Sequence, residues 1–244
     1  MSEISTLAIA PSVVVLKIDR IEKRNALSRA MLNCLISEFR AAEEGGVRAL
    51  IFWGNGQCFS AGADFQDLSG DASDIEYDNL MHKLVSAIQK SKMICIAAID
   101  GPCMGAGFDL ALACDVRVAS RQARFALPAV KVGILYNPDR AVEIMAMLGS
   151  LTERLLLLGE TVSVKETVGS RIVTHREDVE ESALNMAIEI AQKSSELPEE
   201  AQSITKKFIR ESEQYSTKHW MELREKLLSS DERKQIIQGK KGVK

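Results

Sequence analysis

In "DGPCMGAGFDLALACD" (Asp100 to Asp115) three features crowd together. Gly105, Ala106 and Gly107 leave almost no side chain on a turn, the apolar run Leu110 to Ala113 reads as helix, and Asp109 falls in the predicted first turn of that helix. Just ahead, "MICIAAID" (93–100) has the continuous apolar character of a buried strand. A strand, a turn of small residues and a helix start together present unpaired backbone N–H groups at the positive end of a helix dipole. Such a place attracts an anion, or the charge that develops on an oxygen during a reaction. The same small residues would equally serve a helix packed closely on a sheet with no site at all.

Working outward, "CFSAGADF" (58–65) repeats the pattern: small residues from Ser60 to Ala63, then Asp64, which can cap the next turn of chain. It comes after "VRALIFW" (47–53), another predicted strand. Two small-residue turns, each following an apolar strand, can aim two N–H groups at one carbonyl oxygen, as an oxyanion hole requires. Earlier, "SVVVLKI" (12–18) is β-branched and bounded by Pro11 and Asp19, so it reads as a strand. Ser28 is a good N-cap for a helix whose stripe is Met31, Leu32, Leu35, Ile36 and Phe39 and which Gly45 stops. "QDLSGDASDIEYD" (66–78) has loop composition, and residues 79–90 read as helix.

Strands alternating with helices at this spacing imply an α/β fold with parallel pairing. From Pro138 onward the pattern is helical, over 138–149, 151–158, 178–195, 199–213 and 217–229, with little strand between. This sets a boundary near residue 190, between a core (1–190) and a helical region (191–244).

Composition narrows the function classes. The 244 residues are 46% hydrophobic and 27% charged, ordinary for a globular protein, and the net charge of −3 comes with scattered Lys and Arg. That gives no footprint for nucleic acid or an anionic membrane. No apolar run approaches the roughly 18 residues that span a bilayer, and the acidic N-terminus lacks the order of a signal peptide, so a cytoplasmic location is expected. The five cysteines have no CxxC or metal-like spacing. His82, His175 and His219, placed on a helix, in a turn and on a tail helix, form neither a triad nor a metal pair. No metal and no dinucleotide fingerprint is expected.

Five blocks in order, "IEKRNALSRAML", "QCFSAGADFQDL", "DGPCMGAGFDLALACDVRVAS", "ARFALPAVKVGIL" and "LLLLGETVSVKETVGSRIV", resemble the enoyl-CoA hydratase/isomerase (crotonase) superfamily. The resemblance runs from about residue 5 to 175. It implies a spiral of ββα units followed by C-terminal helices that join subunits into trimers, often paired as hexamers. The implied ligand is an acyl thioester of coenzyme A, with no cofactor beyond the substrate's own CoA. It also implies that the N–H groups of Ala63 and Ala106 hold the thioester oxygen and that the Ala61 carbonyl reads the adenine. Lys23 and Arg24 fall where the family meets CoA phosphates, although solvated loop charges would look the same. Ala26, Gly62, Asp64, Phe65, Gly105, Ala129, Leu135 and Asn137 complete the implied substrate path.

The chain departs from the hydratase pattern in three places. Ala106 stands where hydratases usually have Gly, and Asp109 replaces one of the two catalytic Glu residues with a shorter carboxylate. Ala129 replaces the other and cannot move a proton. Hydration by that mechanism wants two carboxylates flanking one water, which favours isomerisation or decarboxylation here. "GILYNPDRAVE" (133–143) brings Tyr136, Asn137 and Asp139 instead. Tyr followed by Asn resembles the methylmalonyl-CoA decarboxylase branch, and Asp at the position of Asp109 resembles dienoyl-CoA isomerases. Asp139 reads more simply as the cap of the helix after Pro138, and Tyr136 also as a residue that fills the acyl tunnel. The alternative to an enzyme acting through a thioester enolate, with Asp109 and Tyr136 in catalytic roles, is an acyl-CoA-binding protein that keeps the hole for affinity.

Overall fold

A computed structural model describes residues 3–177 and 182–242. The chain opens with β1 (Ile4–Ala10), β2 (Val13–Ile18), α1 (Arg29–Glu44), β3 (Ala49–Gly54), α2 (Ile75–Lys90) and β4 (Ile94–Ile99). Next come β5 (Pro102–Met104), α3 (Gly105–Ala113), β6 (Val116–Ser120), β7 (Arg124–Ala126) and α4 (Pro138–Leu148). After β8 (Val162–Ser163) and β9 (His175–Glu177) come α5 (Ala183–Ser195), α6 (Glu199–Glu211), α7 (Thr217–Leu228) and α8 (Asp231–Gly242). The chain divides into two compact units, Met1–Ser194 and Ser195–Lys244, and α5 runs unbroken through residue 190.

In the first unit, strands order as β1-β2-β3-β4-β6-β9, parallel except for the antiparallel β1–β2 hairpin at the edge. A small second sheet, β5-β7-β8, stands beside it. Side-chain alternation sends the two faces of the large sheet to different partners. Leu16, Ile18, Leu50, Phe52, Cys95, Ala97 and Ile99 join the core with the stripes of α1 and α2, and with α3. Val13, Val15, Ala49, Ile51, Ile96 and Ala98 cluster with Ala183, Ala187 and Ala191 of α5. Both faces are covered, which is why β3 and β4 read as unbroken apolar runs and β2 as one broken only by Lys17.

In the second unit α6 and α7 pack together, and Phe208, Tyr215 and Trp220 meet there, with rings edge-on at 5.1 Å for Phe208–Trp220 and 5.5 Å for Tyr215–Trp220. Among the described residues no helix is long and apolar enough to cross a membrane.

The structure corrects several sequence expectations. Helix α3 starts at Gly105, so the small residues form its first turn and Asp109 lies in its second. Extended Met104 leads directly into it, and burial of Gly107 to Ala113 holds the helix despite its weak glycine propensity. The loop predicted at 66–78 contains two 3₁₀ turns, and α2 begins at Ile75, within it. The helix expected over 151–158 is present but irregular: a 3₁₀ turn, Gly149–Leu151, leads into a five-residue π segment, Glu153–Leu157. His175 begins a strand rather than lying in a turn. The helix predicted at 178–195 is seen from Ala183, and 178–181 lie outside the described residues.

Candidate active site

Residues 58–60 run parallel to β5 and bind it through Phe59 N–H to the Pro102 carbonyl (2.9 Å) and Met104 N–H to the Ser60 carbonyl (2.9 Å). This lays the turn after β3 against the start of α3. The approach is close enough to need glycine: a Cβ on Gly62 would stand 3.0 Å from the Met104 carbonyl oxygen and 3.6 Å from the Ala106 nitrogen. Gly62 also has φ +99°, a backbone region that L side chains avoid. Gly107 packs on Ser60, whose hydroxyl donates to the Asn25 carbonyl (2.8 Å) and accepts from Gly62 N–H (3.1 Å).

The orientation of Ala63 comes from its single-residue parallel bridge to Leu27. Leu27 N–H donates to the Gly62 carbonyl (2.7 Å) and Asp64 N–H to the Leu27 carbonyl (3.0 Å). The Ala63 N–H therefore points to the opposite side of that strand pair. Ala106 is the second residue of α3, where an N–H has no intrahelical acceptor. Among the described residues, neither N–H donates to protein. Two unspent donors, that of Ala106 at a helix N-terminus, are of the kind that holds a developing oxyanion.

Asp109 is three residues beyond Ala106, hence on the same helical face. It is buried, at 6% exposure, and pairs with Arg140, which is 3% exposed. Arg140 Nε (2.9 Å) and Nη2 (2.7 Å) both donate to Oδ1, and Arg140 Nη1 pairs with Glu143. Tyr136 sits half-buried with its hydroxyl beside Asp109. Burial first, then the negative charge of Asp109 and a hydrogen bond to it, push the phenol well above its ordinary range. Partial desolvation, then the charges of Asp109 and Asp74, raise the carboxyl of Asp78. The Asp109 carboxylate, the neutral phenol of Tyr136 and the Arg140 guanidinium thus gather at this spot, with Glu143 on the guanidinium and Asp78 within reach of the charge of Asp109.

The remaining predicted residues divide. Lys23 Nζ donates to Gln66 Oε1 (3.1 Å), and the Arg24 carbonyl accepts from Ala61 N–H (2.9 Å), so Lys23, exposed Arg24, Ala61 and exposed Phe65 gather on one rim. Ala26 is buried and contributes backbone. The Asp64 carboxylate is taken by Arg20 (2.6 Å) and Gln66 N–H (3.0 Å). Burial would raise it, but these hydrogen bonds outweigh burial and hold it below the usual carboxylate range. Ala129 lies half-buried in a 3₁₀ turn, Pro128–Val132, and brings no proton carrier. Leu135 is 83% exposed. The cap of α4 is Asn137, whose Oδ1 accepts from Asp139 N–H (3.0 Å), so Asp139 is the capped residue rather than the cap.

Arg140 is absent from the set that the sequence suggests. Its signal was there: Arg140, Ile144, Met147 and Leu148 form the buried stripe of α4. A charge on such a stripe has to be paired.

The profile of the family described as "Enoyl-CoA hydratase/isomerase" matches residues 8–244. A relative named "Probable enoyl-CoA hydratase echA6", from Mycobacterium bovis, is 36% identical over 149 residues, which are 61% of this chain and 60% of that protein. The chain thus spans less than two thirds of that relative's length. The 2,3-dehydroadipyl-CoA hydratase of Escherichia coli is 30% identical over 83% of this chain and 80% of its own. A crystal structure of an enoyl-CoA hydratase from Bacillus anthracis superposes with a TM-score of 0.88 at 24% identity, covering 98% of this chain and 96% of that one. The mixed α/β architecture described above is the fold of that enoyl-CoA hydratase. The chain belongs to the enoyl-CoA hydratase/isomerase family. Both hydratases and isomerases are among its relatives, including a dienoyl-CoA isomerase of Pongo abelii at 27% identity over 75% of this chain and 62% of that protein.

Proposed function

We propose that this protein is an enzyme acting on an acyl-CoA thioester through an enolate, by isomerisation or decarboxylation rather than efficient hydration. The observation that carries the proposal is the contact of the 60–63 and 104–107 segments, with the Ala63 and Ala106 N–H groups both unspent within the described protein. They hold the thioester oxygen, and losing one such donor typically costs about 2.7–4 kcal/mol of barrier. Asp109 carries the proton and Tyr136, a neutral phenol at its side, is the second hydrogen-bonding group. Residues 1–190 bind the acyl-CoA, with the CoA end on the Lys23, Arg24 and Ala61 rim, and residues 191–244 join subunits into trimers or hexamers.

A second reading is acyl-CoA binding without turnover, and one observation favours it. The Asp109 carboxylate is already paired with Arg140, so burial of Asp109 does not by itself require use in catalysis.

The deciding experiment is proton exchange followed by NMR in D₂O, at the carbon beside the thioester in 3-enoyl- and methylmalonyl-CoA and at the γ carbon in crotonyl-CoA. Exchange or product is the expected result, and the productive substrate identifies the branch. Tight binding without exchange across the panel selects the carrier reading. Ala129→Glu restores the missing carboxylate and is expected to raise hydration of crotonyl-CoA, by up to about 10²-fold as the lower range for one acid/base group. No gain would locate the defect in geometry, Asp109 being one C–C bond shorter than Glu, about 1.5 Å.

A further inference from the structure

Arg140 spends its hydrogen bonds unevenly. Nε and Nη2 converge on a single oxygen of Asp109, Oδ1, at 2.9 and 2.7 Å, while Oδ2 has no nitrogen partner among the described residues. Nη1 turns to Glu143, whose two carboxylate oxygens each accept from Gln89 Nε2 at 2.8 Å. A chain of polar contacts thus runs from Gln89 on α2 through Glu143 and Arg140 on α4 to Asp109 on α3. It spans three helices, so the carboxylate is held from outside its own helix.

Packing does not account for an arginine here. Position 140 lies on the apolar stripe with Ile144, Met147 and Leu148, where a methionine or leucine would fill the space with no desolvation cost. Buried ion pairs contribute little net stability compared with apolar residues of similar volume. A planar guanidinium does provide what a hydrophobe or a lysine does not: two donors in a fixed fork that set the orientation of one carboxylate.

We propose that Arg140 is a positioning residue for proton transfer: it ties down Oδ1 of Asp109 and leaves Oδ2 as the oxygen that exchanges the proton. This rests on the enolate function proposed above. In that step Oδ2 takes a proton from the carbon beside the thioester. The C–H electron pair becomes the enolate double bond, and the carbonyl π pair moves onto the thioester oxygen. The reverse step returns the proton, so no oxidant or co-reactant is needed.

The test uses the full-length protein and acetoacetyl-CoA, whose enolate absorbs in the near ultraviolet and so reports proton removal without turnover. Wild type is expected to develop the enolate band on binding. Arg140→Ala is expected to bind crotonyl-CoA with little change, to lose most of the band, and to lower kcat for proton exchange about 100-fold, the scale of a misplaced catalytic group. Guanidinium ion added to Arg140→Ala is expected to restore part of the band, which a merely structural role would not predict. Should Arg140→Ala fail to fold by circular dichroism, Arg140→Lys carries the test, because it keeps the charge and loses the fork. An undiminished band in either folded variant overturns the positioning role. A wild type with neither band nor exchange overturns the enolate function itself, and the role of Arg140 with it.

Discussion

Asp109→Asn is expected to lower proton exchange on a productive acyl-CoA by about 10²–10⁴-fold, the range for removal of one general acid/base group, with acyl-CoA affinity little changed. The amide keeps the shape of the carboxylate and cannot accept a proton, so NMR exchange rates measured beside a binding titration separate the two effects. Unchanged exchange would remove Asp109 from the chemistry. The same residue has a second, independent consequence for stability. Asp109→Leu leaves Arg140, at 3% exposure, facing an apolar side chain with Glu143 as its remaining carboxylate partner. Breaking one side of a buried pair costs about 3–5 kcal/mol. In Asp109→Leu/Arg140→Met both charges are gone, and most of that loss is expected to return. Chemical denaturation of the wild type, both single variants and the double variant measures the coupling. A double variant no more stable than the worse single one would show that the pair does not behave as a unit.

Gly107→Ala is the second large effect, and it needs no change in charge. A Cβ on Gly107 would overlap the Cβ of Ser60 and stand 2.7 Å from its Oγ and 3.2 Å from its carbonyl oxygen. Ser60 cannot simply rotate away, because its hydroxyl joins the Asn25 carbonyl to Gly62 N–H. The relief available is separation of the 60–63 segment from α3, which moves the Ala63 and Ala106 N–H groups apart. Overpacking of this kind costs about 1–3 kcal/mol. A displacement near 1 Å at a reacting centre lowers turnover by about 100-fold. Thermal unfolding and exchange kinetics on the one variant are expected to show a modest stability loss beside a large kinetic one. Wild-type kinetics in a folded Gly107→Ala would contradict the assignment of these two N–H groups.

How far each signal reaches along the chain decides whether the sequence makes it legible. Helix α1 is readable because its cap and its stripe lie within sixteen residues, and Ser28 indeed accepts from Met31 N–H at 3.2 Å. Strands β3 and β4 are readable because burial on both faces makes them apolar throughout, and β2 because it is so but for Lys17. Strand β1 escaped notice because it is an edge strand, buried at Ile4 and largely exposed beyond it. The β5, β7 and β8 strands have two or three residues each, too few for any period to register. Gly107 looks like a turn residue and is helical because tertiary burial overrides propensity, whereas Gly105, at φ +50°, keeps a turn conformation at the helix start. The site divides the same way. Local composition marks the 60–63 and 105–107 turns and Asp109, and the family resemblance singles out Ala63 and Ala106 within those turns. The Arg140 partnership joins residues far apart in sequence and becomes explicit only when α3 and α4 are set side by side.

Two of the links that build the site are single-residue bridges, Leu27 to Ala63 and Ser60 to Cys103, each closing a long excursion of chain. Closing such loops costs entropy before the bridge itself gives anything back. The parallel pairings of the sheet, such as Val13 with Ala49 and Ala49 with Ile94, close comparable excursions but are reinforced by whole ladders, whereas each bridge stands alone. Mutations around Ser60 and Gly107 are therefore expected to speed unfolding more than they slow folding. A corner tied by single bridges is expected to open more easily than the sheet that carries it.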